Sequence, residues 1–202
     1  MPKCLLAAAF LLLLVACPAC GGSGKALSDG QIATQSLITT GDLPGGDDEE
    51  SGLPPEPCGP VLIFERAGGR SNETELLVFG EERVQEAIGV FSDTAAMDSA
   101  YRRLTARPHF ECIRGSIAEF NAGEEAVELE PVRSLGLGEK DTLERFLLVG
   151  GGTQTQSYVD LEAIQTGRCL ASVILLSEAD PPTDTLITEV STTALEPLED
   201  NC

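Results

Sequence analysis

Apolar and polar residues recur along the chain with two different periods, and each predicts its own kind of element. Over residues 83–91 the alternation is strict, with Val84, Glu86, Ile88 and Val90 on one side and Gln85, Ala87, Gly89 and Phe91 on the other. A period of two is that of a strand. Residues 75–80 read as its hairpin partner, with Gly80-Glu81-Glu82 as the turn. Residues 126–132, 144–149, 157–164 and 168–176 read as further strands, and Gly150-Gly151-Gly152 fits a hairpin turn. A helical period appears at Met97, Ala100, Tyr101 and Leu104, behind a cap at Ser92 or Asp93, and Pro108 is expected to close that helix. Tyr101 then belongs to the core, with Arg102 and Arg103 facing outward. Residues 27–40 can form a short helix with Ile32, Leu37 and Ile38 as its apolar positions. A final helix is expected to start near Asp184, to bury Leu186, Ile187, Val190 and Ala194, and to end before Pro197. Residues 58–67 are apolar but too few for periodicity to choose between strand and helix. Residues 41–57 are dense in Pro and Gly and read as a loop, with the acidic run 47–50 solvated. Helix, strands, helix, strands, helix in that order predict an α+β fold: an antiparallel sheet with helices packed on one face. No internal repeat is visible.

The longest apolar run lies at the N-terminus. Residues 5–15 are uninterrupted, about a dozen positions where a membrane-crossing helix needs roughly 20. With Lys3 ahead of it, the run reads as the core of a signal peptide. It ends in Leu14-Val15-Ala16-Cys17, which resembles the lipobox of bacterial lipoproteins: a branched aliphatic three positions before the cysteine, and small residues leading up to it. The resemblance implies a diacylglyceryl thioether on Cys17 and cleavage before it, with a second acyl chain needed for stable anchoring. Cys20 is the alternative lipid site. Its approach, Cys17-Pro18-Ala19, is a poorer match, but its use would leave an even set of cysteines downstream, whereas lipidation of Cys17 leaves Cys20 as a free thiol. The chain thus divides into a leader (1–16), a flexible tether (17–26) and one domain (27–202), expected on the extracytoplasmic side of the cell membrane and held there by lipid.

Charge narrows the partners. The formal charge of −20 over 202 residues becomes −21 once Lys3 leaves with the leader. Such a chain repels phosphate backbones, so no nucleic acid partner is expected, and it repels anionic head groups, so the covalent lipid must supply the membrane attachment. The acidity serves solubility in the first place. Aromatics are 4% and tryptophan is absent, so the core must be mainly aliphatic. Cys58, Cys112, Cys169 and Cys202 lie deep in the domain, where export predicts disulfides. Of three possible connectivities, Cys58–Cys112 with Cys169–Cys202 is favoured because each pair brackets a compact segment ending in a helix. Loops of that size imply roughly 3–4 kcal/mol each on the chain-entropy model.

Catalytic and cofactor signals are weak. The stretch Gly21 to Lys25 fails as a phosphate loop, since Ala26 follows Lys25 where Ser or Thr is needed. No C-x-x-C pair occurs among the four deep cysteines, and the only histidine, His109, lies three before Cys112, so no zinc site is expected. The acids at 47–50 are consecutive rather than at the alternating positions of a calcium loop. His109 is the one candidate base for a Ser or Cys nucleophile, no G-x-S-x-G elbow occurs, and carboxylate pairs carry no information in a chain this acidic. The reading is a non-enzymatic protein with no cofactor, either a binding or sensor module or a structural envelope lipoprotein; a secreted hydrolase is the less favoured class. Its partner would be an unidentified small ligand or an envelope protein.

Residues 35–45, Gln-Ser-Leu-Ile-Thr-Thr-Gly-Asp-Leu-Pro-Gly, resemble a motif of actinobacterial lipoproteins and sensor domains: Leu-Leu-Thr, two small residues, Asp-Leu-Pro, Gly. A Pro-rich stretch, Cys58 at the start of an apolar segment, a helix matched by 94–106 and a second cysteine matched by Cys112 continue the likeness. The group resembles the extracellular sensor domain of PknH-type serine/threonine kinases, which implies an α+β domain with disulfides and a cleft for an unidentified ligand. One position departs: an aromatic usually follows the Gly of the motif, and here Gly46 and Asp47 do. The sequence carries no kinase domain, so a signalling role would require a partner.

Overall fold

The computed structural model describes residues 26–43, 46–49, 58–120, 125–128, 132–149, 156–178 and 180–202. The leader, Cys17, Cys20, the tether up to Lys25 and the triglycine at 150–152 lie outside them. Thirteen elements follow in chain order: α1 (Asp29–Gln35), β1 (Gly46–Glu49), α2 (Pro60–Arg66), β2 (Arg70–Glu73), β3 (Leu76–Phe79), β4 (Glu82–Val90), α3 (Thr94–Leu104), α4 (Arg107–Phe120), β5 (Glu125–Glu128), β6 (Lys140–Val149), β7 (Ser157–Thr166), β8 (Cys169–Glu178) and α5 (Asp184–Glu199). The eight strands form one antiparallel sheet in the order β1-β3-β4-β8-β7-β6-β5, with β2 also pairing β4. The α+β class and the antiparallel sheet are as the residue pattern predicts.

The central strand β8 is buried from Cys169 to Ser177, because both faces of the sheet are covered. The expectation of helices on one face is therefore corrected by the strand registers. Ala87, Gly89 and Phe91 point toward α2 and α3, and Phe146, Leu148, Val159 and Leu161 toward α4. The alternate residues Ile88, Val90, Val84, Val173 and Leu175 point the other way, toward α1 and α5. Strict alternation in a half-buried sheet would have left one of these sets polar; here both are apolar, and that is why five helices fit on two sides.

Two disulfides join Cys58 to Cys112 and Cys169 to Cys202, with Cα separations of 5.9 and 5.8 Å. The first ties Cys58, two residues ahead of α2, to α4; the second ties the start of β8 to the tail beyond α5. The undecided segment 58–67 is a helix, with Pro60 at its first position, where the missing N–H costs nothing.

Three elements depart from the pattern-based expectation. Pro108 does not merely close α3; it sits at the second position of α4, a helix of 14 residues that begins at Arg107. Only two residues, Thr105 and Ala106, separate the helices, and the Ala106 carbonyl accepts from the His109 and Phe110 amides. Phe110 and Ile113 then bury against the sheet. Helix α5 does not end before Pro197 but runs through it to Glu199. The proline forfeits a backbone bond, yet Leu198 is fully buried and Cys202 is covalently held, so the last turn stays helical. Within the acidic run, Gly46–Glu49 is a strand pairing Leu76–Phe79 rather than loop. Strand β2, pairing the C-terminal half of β4, has no apolar alternation and was invisible to it.

On the α2 side, Gly89 and Gly69 leave room for two rings. A Cβ on Gly89 would lie 2.7 Å from Phe64 Cγ, and one on Gly69 would lie 2.7 Å from Phe91 Cε1. The two rings meet edge to face at 6.1 Å. On the α5 side, Arg145 donates to both oxygens of Asp160, at 2.7 and 2.9 Å, and to the Pro182 carbonyl at 2.7 Å. Arg145 and Asp160 are 7% and 1% exposed, so this ion pair works in a low dielectric.

Chemical denaturation should separate these features. Gly89→Ala is expected to destabilise by about 1–3 kcal/mol through forced displacement of Phe64, while Gly115→Ala, in α4 with nothing near its Cβ position, stabilises by about 0.5–1 kcal/mol. Asp160→Leu should cost about 3–5 kcal/mol by leaving Arg145 buried without its carboxylate, and the double change Arg145→Met with Asp160→Leu should recover most of the loss.

Candidate functional site

The α5 face of the sheet carries the chemistry. Residues 36–43, the core of the motif singled out above, cross this face as a strap between α1 and β1. Ile38 and Leu43 bury into the same cluster as Leu77, Phe79, Val84 and Val190. Between them the backbone turns, closed by Asp42, whose carboxylate accepts from the Thr39 amide at 2.8 Å and the Thr39 hydroxyl at 2.7 Å. An aspartate three residues past a threonine suits such a turn because its short side chain reaches back to the chain.

The strap is tied to the sheet by Glu86. Its Oε2 accepts from the Ile38 amide at 2.7 Å, and its Oε1 has no hydrogen-bond partner among the described residues. The Glu86 backbone N–H donates to Thr74 Oγ1 at 2.9 Å, where β2 hands over to β3. Glu86 is 1% exposed. Burial drives its carboxyl up to about 8; the Ile38 bond opposes this and the Asp42 charge adds to it. Glu162 repeats the theme one strand beyond β8: both residues pair with Val173, from opposite sides. Ser191 of α5 donates to Glu162 Oε2, and burial lifts this carboxyl to about 7, opposed by the Ser191 bond and by Arg133 and reinforced by Asp141 and Asp160. Both carboxyls therefore hold their protons to a higher pH than an ordinary glutamate does.

Above this layer an open groove of about 360 Å³ runs between the strap, the β3–β4 hairpin and α5. The strap contributes Asp42 and Leu43, the hairpin Phe79, Gly80 and Glu82, and α5 Leu186, Glu189, Val190 and Thr193. Gly80 turns the hairpin at φ +65°, a conformation glycine adopts without a steric penalty. Thr183 caps α5 by accepting from the Leu186 amide, which sets the helix register that sends Glu189 and Thr193 to the rim. The floor is apolar and the rim is carboxylate and hydroxyl, the composition of a small-molecule cleft, and the volume falls in the usual range of roughly 300–1,000 Å³. A more open groove of about 610 Å³ on the other side of the strap is lined by Leu37, Ile38 and Leu77 with Thr34, Thr74 and Glu75 among its polar residues.

His109, the candidate base, lies elsewhere, on the α4 side. It borders a cavity of about 10 Å³ with Phe110, Ile113 and Ser172, a space for about one water. Burial lowers its imidazole to about 4. The deep cysteines are in the two disulfides, and among the described residues no group of three His, Cys, Asp or Glu side chains is placed to hold a metal. No helix among them is long and apolar enough to cross a membrane. Both candidate lipid sites, Cys17 and Cys20, fall outside the described residues. In the sequence Glu86 shares the apolar register of Val84 and Ile88, and an acid at such a strand position is the signal available for its burial. Phe79, Glu82 and Glu189 gave no signal, because only the fold brings them together.

No protein-family model matches the sequence, and no curated protein matches it. The fold is similar to that of the extracellular domain of PknH from Mycobacterium tuberculosis, with a TM-score of 0.52 and 8% identity, across 87% of this chain and 96% of that one.

The buried carboxyls fix a pH dependence. Their folded values lie above the ordinary glutamate value, so the folded state binds more protons than the unfolded state between about pH 4.5 and 8. Stability must then fall as pH rises through that window, by up to about 1.4 kcal/mol per pH unit for each group. Glu86→Gln keeps an acceptor for the Ile38 amide and cannot ionise. It is expected to flatten the decline and to be more stable than the parent at pH 8 in denaturant titrations; an unchanged slope would remove Glu86 as its source.

Proposed function

We propose that the chain is a lipid-anchored, non-catalytic extracytoplasmic module that binds a ligand in the groove beside α5, in the manner of a sensor domain. The observation that carries this reading is the fold shared with an extracellular domain over 87% of the chain. Other features support it. Two disulfides suit an oxidising compartment. The apolar run 5–15 ending at Leu14-Val15-Ala16-Cys17 supplies an export signal and a thiol at the point where lipid would be attached. The groove is open, apolar at its floor and polar at its rim, and its walls hang on the strap and α5, both fixed to the sheet from below by buried polar contacts.

Intact mass of protein extracted from native membranes tests the anchor. The expected mass lacks residues 1–16, carries acyl groups on Cys17, and is short of four hydrogens for the two disulfides. A leader-bearing mass with all thiols reduced would overturn the anchor and the compartment together. Native mass spectrometry of the same extract tests the binding reading. A small molecule is expected to travel with the parent and to be lost from Thr193→Trp, which fills the groove from its rim; a reproducibly empty parent would overturn it.

A further inference from the structure

The groove beside α5 is chemically lopsided. Leu43, Phe79 and Val190 make its floor, and Asp42, Glu82 and Glu189 stand around it. Among the described residues no lysine or arginine lines it. The three acids come from three separate elements, so their convergence belongs to the fold and not to a run of acidic sequence. Arg83, next to Glu82 in sequence, points to the opposite face of the sheet and pairs with Glu178. The cation nearest in sequence is thereby kept off the rim.

We propose that this groove takes an amphiphilic cation: a ligand with an aliphatic or aryl body and a single ammonium or guanidinium head. The inference rests on the groove being a binding site, and adds the class of its ligand. An apolar body gains by covering Leu186, the half-exposed apolar side chain on the α5 wall, together with the small surface that Leu43, Phe79 and Val190 still expose on the floor. A head group at the rim meets carboxylates on every side, at the surface of a chain that carries −20. That field concentrates cations and speeds their arrival. It repels a carboxylate or phosphate head, which excludes fatty acids and phospholipids. A neutral body of the same shape gains the floor but not the rim.

Calorimetric titration of the folded domain with octylammonium, octanol and octanoate, all below the concentrations at which they aggregate, separates the two contributions. Octylammonium is expected to bind more tightly than octanol, and octanoate not measurably. The double variant Glu82→Gln with Glu189→Gln, both at the rim and outside the core, should weaken octylammonium by roughly fivefold to tenfold and leave octanol unchanged. Raising the salt from 0.05 to 0.5 M should erode the octylammonium preference, and Thr193→Trp should block both ligands. Equal binding of octylammonium and octanol, indifferent to the rim variants, would overturn the cation and leave an apolar site. Tighter binding of octanoate would overturn it outright. If none of the three binds, the ligand class falls, while the binding reading falls only if the native extract also returns an empty groove.

Discussion

Arg145 and Asp160 face one another across β6 and β7 with their fork and carboxylate aligned, and the remaining reach of the guanidinium goes to the carbonyl of Pro182, just ahead of α5. Removing either charge from water is costly, and only a matched partner returns that cost. Helix α5 must therefore begin where the Pro182 carbonyl can reach Arg145. Thr183 caps the helix at the next residue, and from there the helical period fixes which side chains go down to the sheet and which go up to the groove. Ile187, Val190, Ser191 and Ala194 go down; Glu189 and Thr193 go up. One buried ion pair thus sets the position of a whole wall.

The two faces of the sheet do different work. Under α2, α3 and α4 the packing is mainly apolar, built from Phe64, Phe91, Met97, Phe110, Phe146 and aliphatic residues. Under α5 and the strap the same sheet carries Arg145, Asp160, Glu162 and Glu86, each at most 7% exposed. Buried ionisable groups are poor contributors to stability compared with apolar residues of the same size. They do not belong to one face alone: on the α4 side Glu144, 3% exposed, meets Arg114 at 3.8 Å. A neutral carboxyl also provides what an aliphatic residue cannot: an acceptor for a strap whose Ile38 amide would otherwise be buried and unpaired.

Much of this fold was legible in the sequence. The alternation at 83–91 predicted β4, the stripe Met97 to Leu104 predicted α3, and the pairing of the four deep cysteines follows the compact segments they bracket. What was not legible has physical causes. A proline serves as a helix stop or as a helix start depending on what precedes it, so Pro108 concealed α4. A proline late in a helix is tolerated when the residues after it are held from outside, as Leu198 and Cys202 are. Periodicity reports which strand faces are apolar but not what covers them, so helices on both faces could not be distinguished from helices on one. Strand β2 and the acidic β1 owe their extended form to a neighbour's open edge rather than to their own residues. The groove was beyond reach for the same reason, since Leu43, Phe79 and Val190 meet only after the sheet has formed.

The second disulfide has a mechanical consequence. It links β8, the strand at the middle of the sheet, to Cys202, three residues beyond the end of α5. With Arg145 gripping the approach to the helix and the cystine gripping its exit, α5 behaves as a beam clamped at both supports. The groove it borders has one stationary bank, and any change of width on filling must come from the opposite bank, the strap and the β3–β4 hairpin. On that opposite bank the strap is held to the sheet where the Ile38 amide meets Glu86.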